Sequence, residues 1–91
     1  MDQRTHPLHR DFPADLARID AVRQVDPHFA EIVARFEEVD REIGKIDARE
    51  ELRTDDEEKV LREHRVALRD AIAQRLREEG PDLQARQRRE P

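Results

Sequence analysis

The sequence contains no cysteine, tryptophan, tyrosine or serine. The absence of cysteine excludes disulfides, thiolate nucleophiles and cysteine-ligated zinc. The only aliphatic hydroxyl groups belong to Thr5 and Thr54, so few side chains are suited to nucleophilic catalysis. We therefore predict that the chain is not an enzyme and that it needs no cofactor, metal or small-molecule substrate.

Apolar residues are also scarce in this chain. Among its 91 residues, 35% are hydrophobic and 45% are charged, whereas globular chains average about 45–50% and about 25%. A chain of this length forms one small domain, and it has too little apolar material to enclose a cleft. Because it has only two glycines and five prolines, a turn-rich β-domain is excluded as well.

Long hydrophobic runs and an excess of positive charge are missing too. No apolar run approaches the roughly 20 residues that cross a bilayer, and the first residues lack the apolar stretch of a signal peptide. We expect a cytoplasmic protein with no membrane contact. The 18 basic and 23 acidic residues give a net charge of −5. Since nucleic-acid binders carry a basic face, a nucleic-acid partner is disfavoured.

Start and stop signals predict an all-α chain. Pro13 and Pro27 suit the first turn of a helix, and the segment Thr-Asp-Asp-Glu at 54–57 matches a capping box. Gly-Pro at 80–81 is a stop signal. We predict a flexible arm over residues 1–10, a single domain over 11–79 with helices at about 13–25, 27–52 and 55–79, and a disordered tail over 81–91.

Apolar residues recur at steps of three and four along both long helices, which is the heptad pattern of helices packed side by side. If the two helices fold back on each other, the two residue numbers of each facing pair add up to the same value. Ile46 with Leu61 and Val39 with Leu68 give the same total. The predicted fold is an antiparallel, coiled-coil-like helical hairpin with a short preceding N-terminal helix. The predicted seam consists of Phe29, Ile32, Phe36, Val39, Ile43, Ile46, Leu61, His64, Leu68, Ile72 and Leu76.

A lone hairpin with about ten apolar side chains in its seam is marginally stable, so we expect further apolar surface to be covered. The candidate surface for a partner or a second copy consists of Phe12, Leu16, Ile19, Val60 and Ala67. Two arrangements remain open. The first helix folds onto the hairpin of its own chain, or it packs onto another copy.

Four short segments stand out by their order and spacing: HPLHRDFP at 6–13, DPHF at 26–29, VDREI at 39–43 and LRDAI at 68–72. Together they resemble the YdcH-like family of small bacterial proteins. The resemblance implies a short cytoplasmic helical hairpin with no established activity and no known active site. The sequence departs from the family pattern at Leu16, where an aromatic residue is common, and at Gly44, where a stronger helix former is usual.

The histidines suggest two kinds of site. His6 and His9 are three residues apart in the arm, and with a carboxylate and His28 they have the donor types of a zinc site. We favour a solvated arm over a metal site. His64 occupies a seam position opposite Ile43. It is either a polar residue that sets the register or a pH switch, and we favour the first interpretation.

These observations favour a small non-catalytic helical interaction or structural module, which forms a homo-oligomer or docks on a larger protein. The alternative is a nucleic-acid-associated accessory protein that uses the basic tail around Arg86, Arg88 and Arg89. The acidic segment 50–58 is interpreted as a solvated loop.

Overall fold

The computed structural model describes residues 6–88, with side chains described for residues 6–78. This part of the chain forms four helices and no strand: α1 (Pro7–Asp11), α2 (Leu16–Val25), α3 (Pro27–Asp47) and α4 (Asp55–Arg88). The prediction of an all-α chain is confirmed. Helices α3 and α4 pack against each other, and both α1 and α2 pack on α3.

Local capping chemistry sets where the long helices begin. Asp26 Oδ1 accepts a hydrogen bond from the N–H of Phe29 at 3.1 Å, and Pro27 occupies the first position of α3. Ahead of α4, Thr54 Oγ1 accepts from the N–H of Glu57 at 3.1 Å, and Glu57 Oε1 accepts from the N–H of Thr54 at 3.0 Å. The predicted capping box is therefore confirmed, and it satisfies amides that have no partner inside the helix.

Helix α1 lies in the segment predicted to be a flexible arm. Pro7 begins this helix, and His6 caps it because His6 Nδ1 accepts a hydrogen bond from the N–H of Leu8 at 3.2 Å. Leu8 is 5% exposed and belongs to the core. For residues 6–10 the structure replaces the mobile arm with a packed helix, because Leu8 anchors the segment. Residues 1–5 lie outside the described part of the chain.

The end of α3 comes earlier than the predicted residue 52. The helix stops at Asp47 because Arg49 adopts a left-handed backbone with φ of 62°. The N–H of Glu50 then bonds to the carbonyl of Lys45 at 2.8 Å, and the N–H of Arg49 bonds to the carbonyl of Ile46 at 3.0 Å. These two bonds form a Schellman motif, which satisfies carbonyls that the helix end would leave without a partner.

The other helix ends also differ from their predicted positions. Pro13 lies in the turn between α1 and α2 rather than at a helix start. Helix α4 continues through the predicted stop at Gly80 and Pro81 as far as Arg88, so this backbone is helical where a disordered tail was expected. Proline removes one N–H donor, and that loss is not enough to end this helix. Residues 89–91 lie outside the described range.

The core lies where α1 and α2 meet the packed faces of α3 and α4. Phe29, Val33 and Phe36 are at most 1% exposed, and Ile72 of α4 is fully buried. Among the predicted seam residues, the buried ones are Phe29, Phe36, Val39, Ile43, Ile72 and Leu76, and the half-buried ones are Ile32, Ile46, Leu61 and Leu68.

The expected seam position of His64 is not realised, because its side chain is exposed. Arg65 is directed toward the core instead. Its guanidinium carbon lies 5.0 Å from the centroid of the Phe36 ring, and its Nε donates to Asp40 Oδ1 at 2.8 Å. An arginine can cover an aromatic ring and pair with a carboxylate at the same time, and this combination holds Arg65 half-buried at the edge of the core.

Candidate interaction surfaces

The N-terminal segment packs on its own chain. Phe12 is 6% exposed and Ile19 is 1% exposed, while Leu16 is half-buried against the core cluster. Arg18 connects α2 to α4 through a hydrogen bond, in which its Nη2 donates to the backbone carbonyl of Leu76 at 2.6 Å. The intrachain arrangement of the first helix is therefore the one observed. This corrects the candidate partner surface: Phe12 and Ile19 belong to the core and Leu16 packs against it, so these side chains leave little area for a partner.

An ion-pair cluster joins α1, α3 and α4. Arg65 Nη2 lies 3.1 Å from Asp11 Oδ2, and Arg65 Nε lies 2.8 Å from Asp40 Oδ1. Arg10 Nη2 lies 2.6 Å from the same Asp40 oxygen, and Arg69 Nε lies 3.2 Å from Asp11 Oδ2. Each of these charged groups contacts a group of opposite sign. We call this the Arg65 cluster, which consists of Arg10, Asp11, Phe12, Phe36, Asp40, Arg65 and Arg69.

Aromatic rings support the Arg65 cluster from the core side. The rings of Phe12 and Phe36 meet edge to face, with centroids 6.3 Å apart and planes at 67°. The guanidinium of Arg69 lies over Phe12 at 5.5 Å, as that of Arg65 lies over Phe36. Such stacking adds modest attraction beyond the burial of the rings. Because its charges are mutually paired, we assign the cluster first to fold stability, although Arg69 at its edge is 45% exposed and remains open to solvent.

Two further ion pairs join α3, or its N-cap, to α4. Arg75 Nε donates to Asp26 Oδ2 at 2.9 Å, and Arg62 Nη2 donates to Asp47 Oδ1 at 2.7 Å while also bonding to Glu58. The hydrogen bond from Arg75 lowers the pKa of Asp26 below its ordinary value, with help from the N–H of Phe29. Asp26 thus caps α3 and pairs with α4 through the same carboxylate.

The histidines are distributed over the surface. His6 Nε2 lies 3.2 Å from Glu37 Oε2, and the ring centroids of His6 and His9 are 5.8 Å apart. Arg23 approaches the same Glu37 carboxylate at 3.8 Å, so a cation already shares this group. His9 and His28 are exposed. Among the described residues, no group of three or more histidines and acids is arranged to hold a metal ion.

Apolar side chains that face solvent mark the remaining candidate surface. Val66 is 56% exposed and Val60 is 49% exposed on α4, while Leu52 is 88% exposed in the loop before it and Val25 is 77% exposed at the end of α2. Ala67 is exposed next to Val66. The sequence pattern indicates Val60 and Ala67, which lie seven residues apart on α4, but not Val66, which does not share that spacing.

Two surface depressions flank the exposed face of α4, and both are open to solvent. The larger depression runs along the first half of the helix, and it is lined by Asp55, Glu58, Lys59, Arg62, Glu63 and Val66. The smaller one lies between α2 and the second half of α4, and it is lined by Phe12, Asp15, Arg18, Ala73, Leu76 and Arg77. Five of the six residues that line the larger depression are charged, whereas charged and apolar residues are equal in number in the smaller one.

Comparisons with known proteins give no match, whether with family models, curated proteins or solved structures. Within residues 6–88, no helix combines the length and the apolar character that crossing a membrane requires.

Proposed function

We propose that this protein is a non-catalytic helical interaction or structural module, whose two long helices form an antiparallel, coiled-coil-like hairpin. The ion pairs between α4 and α3 with its N-cap support the antiparallel direction. Arg62 pairs with Asp47, Arg65 pairs with Asp40 and Arg75 pairs with Asp26. As the residue number rises along α4, the number of its partner falls, which is what two helices running in opposite directions require.

The observation that carries the interaction role is the exposure of Val66 in the middle of a helix. Val66 is 56% exposed, and it lies in an open depression lined otherwise by charged side chains. Interfaces commonly have an apolar centre and a polar rim that stays accessible to solvent. The role proposed for this face is to bind a second copy of the chain or a larger protein.

The test is a binding experiment with tagged protein and matched variants. We expect the wild-type protein to retain a stoichiometric partner, which is either a second copy or another protein, and we expect Val66→Asp to lose it. Val25→Asp is the control, because Val25 is also exposed but lies at the end of α2. Both variants must keep the circular dichroism spectrum of the wild type. Equal retention by wild type and Val66→Asp would contradict the role of this face.

Several earlier expectations remain predictions. The resemblance to the YdcH-like family and the cytoplasmic location are consistent with this proposal. The nucleic-acid hypothesis depended on Arg86, Arg88 and Arg89, whose side chains lie outside the described ones. The net charge of −5 makes this hypothesis the weaker one, because phosphate contacts need a positive surface.

A further inference from the structure

Charges on the outer face of α4 are arranged symmetrically around Val66 with opposite sign. Three residues before Val66 is Glu63, and three residues after it is Arg69. Four residues before it is Arg62, and four residues after it is Asp70. All four charged side chains are exposed, and steps of three and four residues keep them on the same face of the helix. Each acid is thus matched by a base at the same distance on the other side of Val66.

The same relation extends to the ends of this face. Eleven residues before Val66 is the acid Asp55, and eleven residues after it is the base Arg77. A step of eleven is close to three full helical turns, so both lie on the face of Val66. At a distance of seven residues, Lys59 is matched by the small residue Ala73. At steps of three, four, seven and eleven, no like charges occupy equivalent places.

We propose that a second copy of this chain docks on this face, with the two α4 helices antiparallel and a twofold axis passing between their Val66 side chains. This inference rests on the proposed function and names the partner. A twofold interface pairs residue i of one copy with residue j of the other, and j with i. In this register, Glu63 meets Arg69 of the second copy, whose half-exposed side chain also pairs with Asp11 of its own chain. Asp55 meets Arg77 of the second copy in the same way, so every matched pair occurs twice.

Two surface depressions on this side of the molecule can accommodate side chains of the second copy. The open depression along the first half of α4 contains Asp55 and Lys59, and the depression between α2 and α4 contains Ala73 and Arg77. In the proposed register, the depression along the first half of α4 in one copy faces the depression between α2 and α4 in the other copy. Ala73 leaves space for the long Lys59 side chain, and Asp15 in the same depression carries the opposite charge.

Self-complementarity is the reason for choosing a second copy over a different protein. A face that evolved for an unrelated partner has no need for opposite charges at equal distances from its own centre. A twofold antiparallel dimer needs them, because like charges directly opposite each other are destabilising and opposite charges set the register.

The first test uses the absence of cysteine from the chain. A cysteine introduced by Val66→Cys lies on the twofold axis, where facing backbones come close enough for a disulfide. We expect mild oxidation of this variant to give a covalent dimer in high yield. Val60→Cys is the control, since Val60 is similarly exposed at 49% and lies off the axis. Equal cross-linking of both variants, or none in either, would overturn the proposal.

The second test reverses charges at the ends of the face. Asp55→Arg places arginine opposite Arg77 twice in a homodimer, and Arg77→Glu places glutamate opposite Asp55 twice. We expect each variant alone to raise the dimer dissociation constant about tenfold by sedimentation analysis. An equimolar mixture pairs opposite charges at both ends, so it should recover dimerisation to within about threefold of the wild type.

The outcomes of the mixing experiment separate this inference from the proposed function. Recovery on mixing supports the antiparallel register, because a folding defect in either variant would persist in the mixture. The inference would be overturned if the wild-type chain sediments as a monomer at its highest soluble concentration and after 100-fold dilution from it. If the monomeric chain still retains another protein and Val66→Asp abolishes that binding, the proposed function survives without the dimer. If Val66→Asp has no effect on binding, the proposed function and the dimer inference both fail.

Discussion

The left-handed residue at the end of α3 leads to a prediction about stability. Arg49 has φ of 62° and occupies the Schellman position that glycine usually takes. A side chain in this conformation costs about 1–2 kcal/mol, because Cβ approaches the backbone carbonyl. Glycine avoids that cost but loses about 0.5–1 kcal/mol through the greater freedom of the unfolded chain. We therefore expect Arg49→Gly to stabilise the protein by about 0.5–1 kcal/mol.

The measurement is thermal unfolding followed by circular dichroism at 222 nm. For a domain of this size, a gain of about 0.5–1 kcal/mol raises Tm by roughly 2–8 °C. Arg49→Ala is the control, because it removes the exposed guanidinium and keeps the left-handed Cβ. If Arg49→Gly melts no higher than Arg49→Ala, then the backbone at this position is not strained and the argument is refuted.

Three further predictions follow from the packing and the ion pairs. Phe36→Ala should lower the free energy of unfolding by about 3–5 kcal/mol, since Phe36 is fully buried, and a loss below about 1 kcal/mol in chemical denaturation would contradict this packing. Asp26→Asn keeps an acceptor for the N–H of Phe29 but loses the pairing with Arg75. The pKa of Asp26 is lowered in the folded state. The wild-type protein should therefore have a larger free energy of unfolding than this variant at any pH well above 3.8, the ordinary pKa of an aspartate, and the difference should vanish as the pH falls through the lowered pKa of the folded state. Melting curves from pH 2 to 7 test this sign. His64→Leu should change the free energy of unfolding by less than about 0.5 kcal/mol, because His64 is exposed and such surface substitutions have small effects; a loss above about 1 kcal/mol in chemical denaturation would contradict this exposed position.

The starts of the long helices could be predicted because they depend on neighbouring residues. Asp26 with Pro27, and Thr54 with Glu57, satisfy the first backbone amides by contacts within three residues. Such local hydrogen bonds do not require knowledge of the rest of the fold. The helix ends were harder to predict. The end of α3 depends on the left-handed Arg49, and no sequence pattern distinguishes an arginine that adopts this conformation.

The position of the N-terminal segment could not be predicted from local patterns. Phe12 and Ile19 form an apolar edge that suits either an intrachain or an interchain contact. The structure buries both within the chain, and Leu8 and Arg18 add contacts that the sequence pattern did not indicate. The choice depends on how closely α2 fits against α3 and α4, which is a property of the packed surfaces.

The candidate surface was found only in part for a similar reason. Val60 and Ala67 were selected from their spacing on α4, whereas the exposure of Val66 and the coverage of Phe12 depend on where α1 and α2 lie. The charges around Val66 are present in the sequence, but their significance depends on knowing that this face of α4 is left open.

The sequence by itself determined the all-α class and the starts of both long helices, because periodicity and capping act over one or two turns. Tertiary structure decided which apolar residues belong to the core. It directed Arg65 rather than His64 toward that core, where the Arg65 guanidinium stacks on Phe36 and its Nε donates to Asp40. It also left Val66 exposed, because α1 and α2 pack on α3 and leave this face of α4 open.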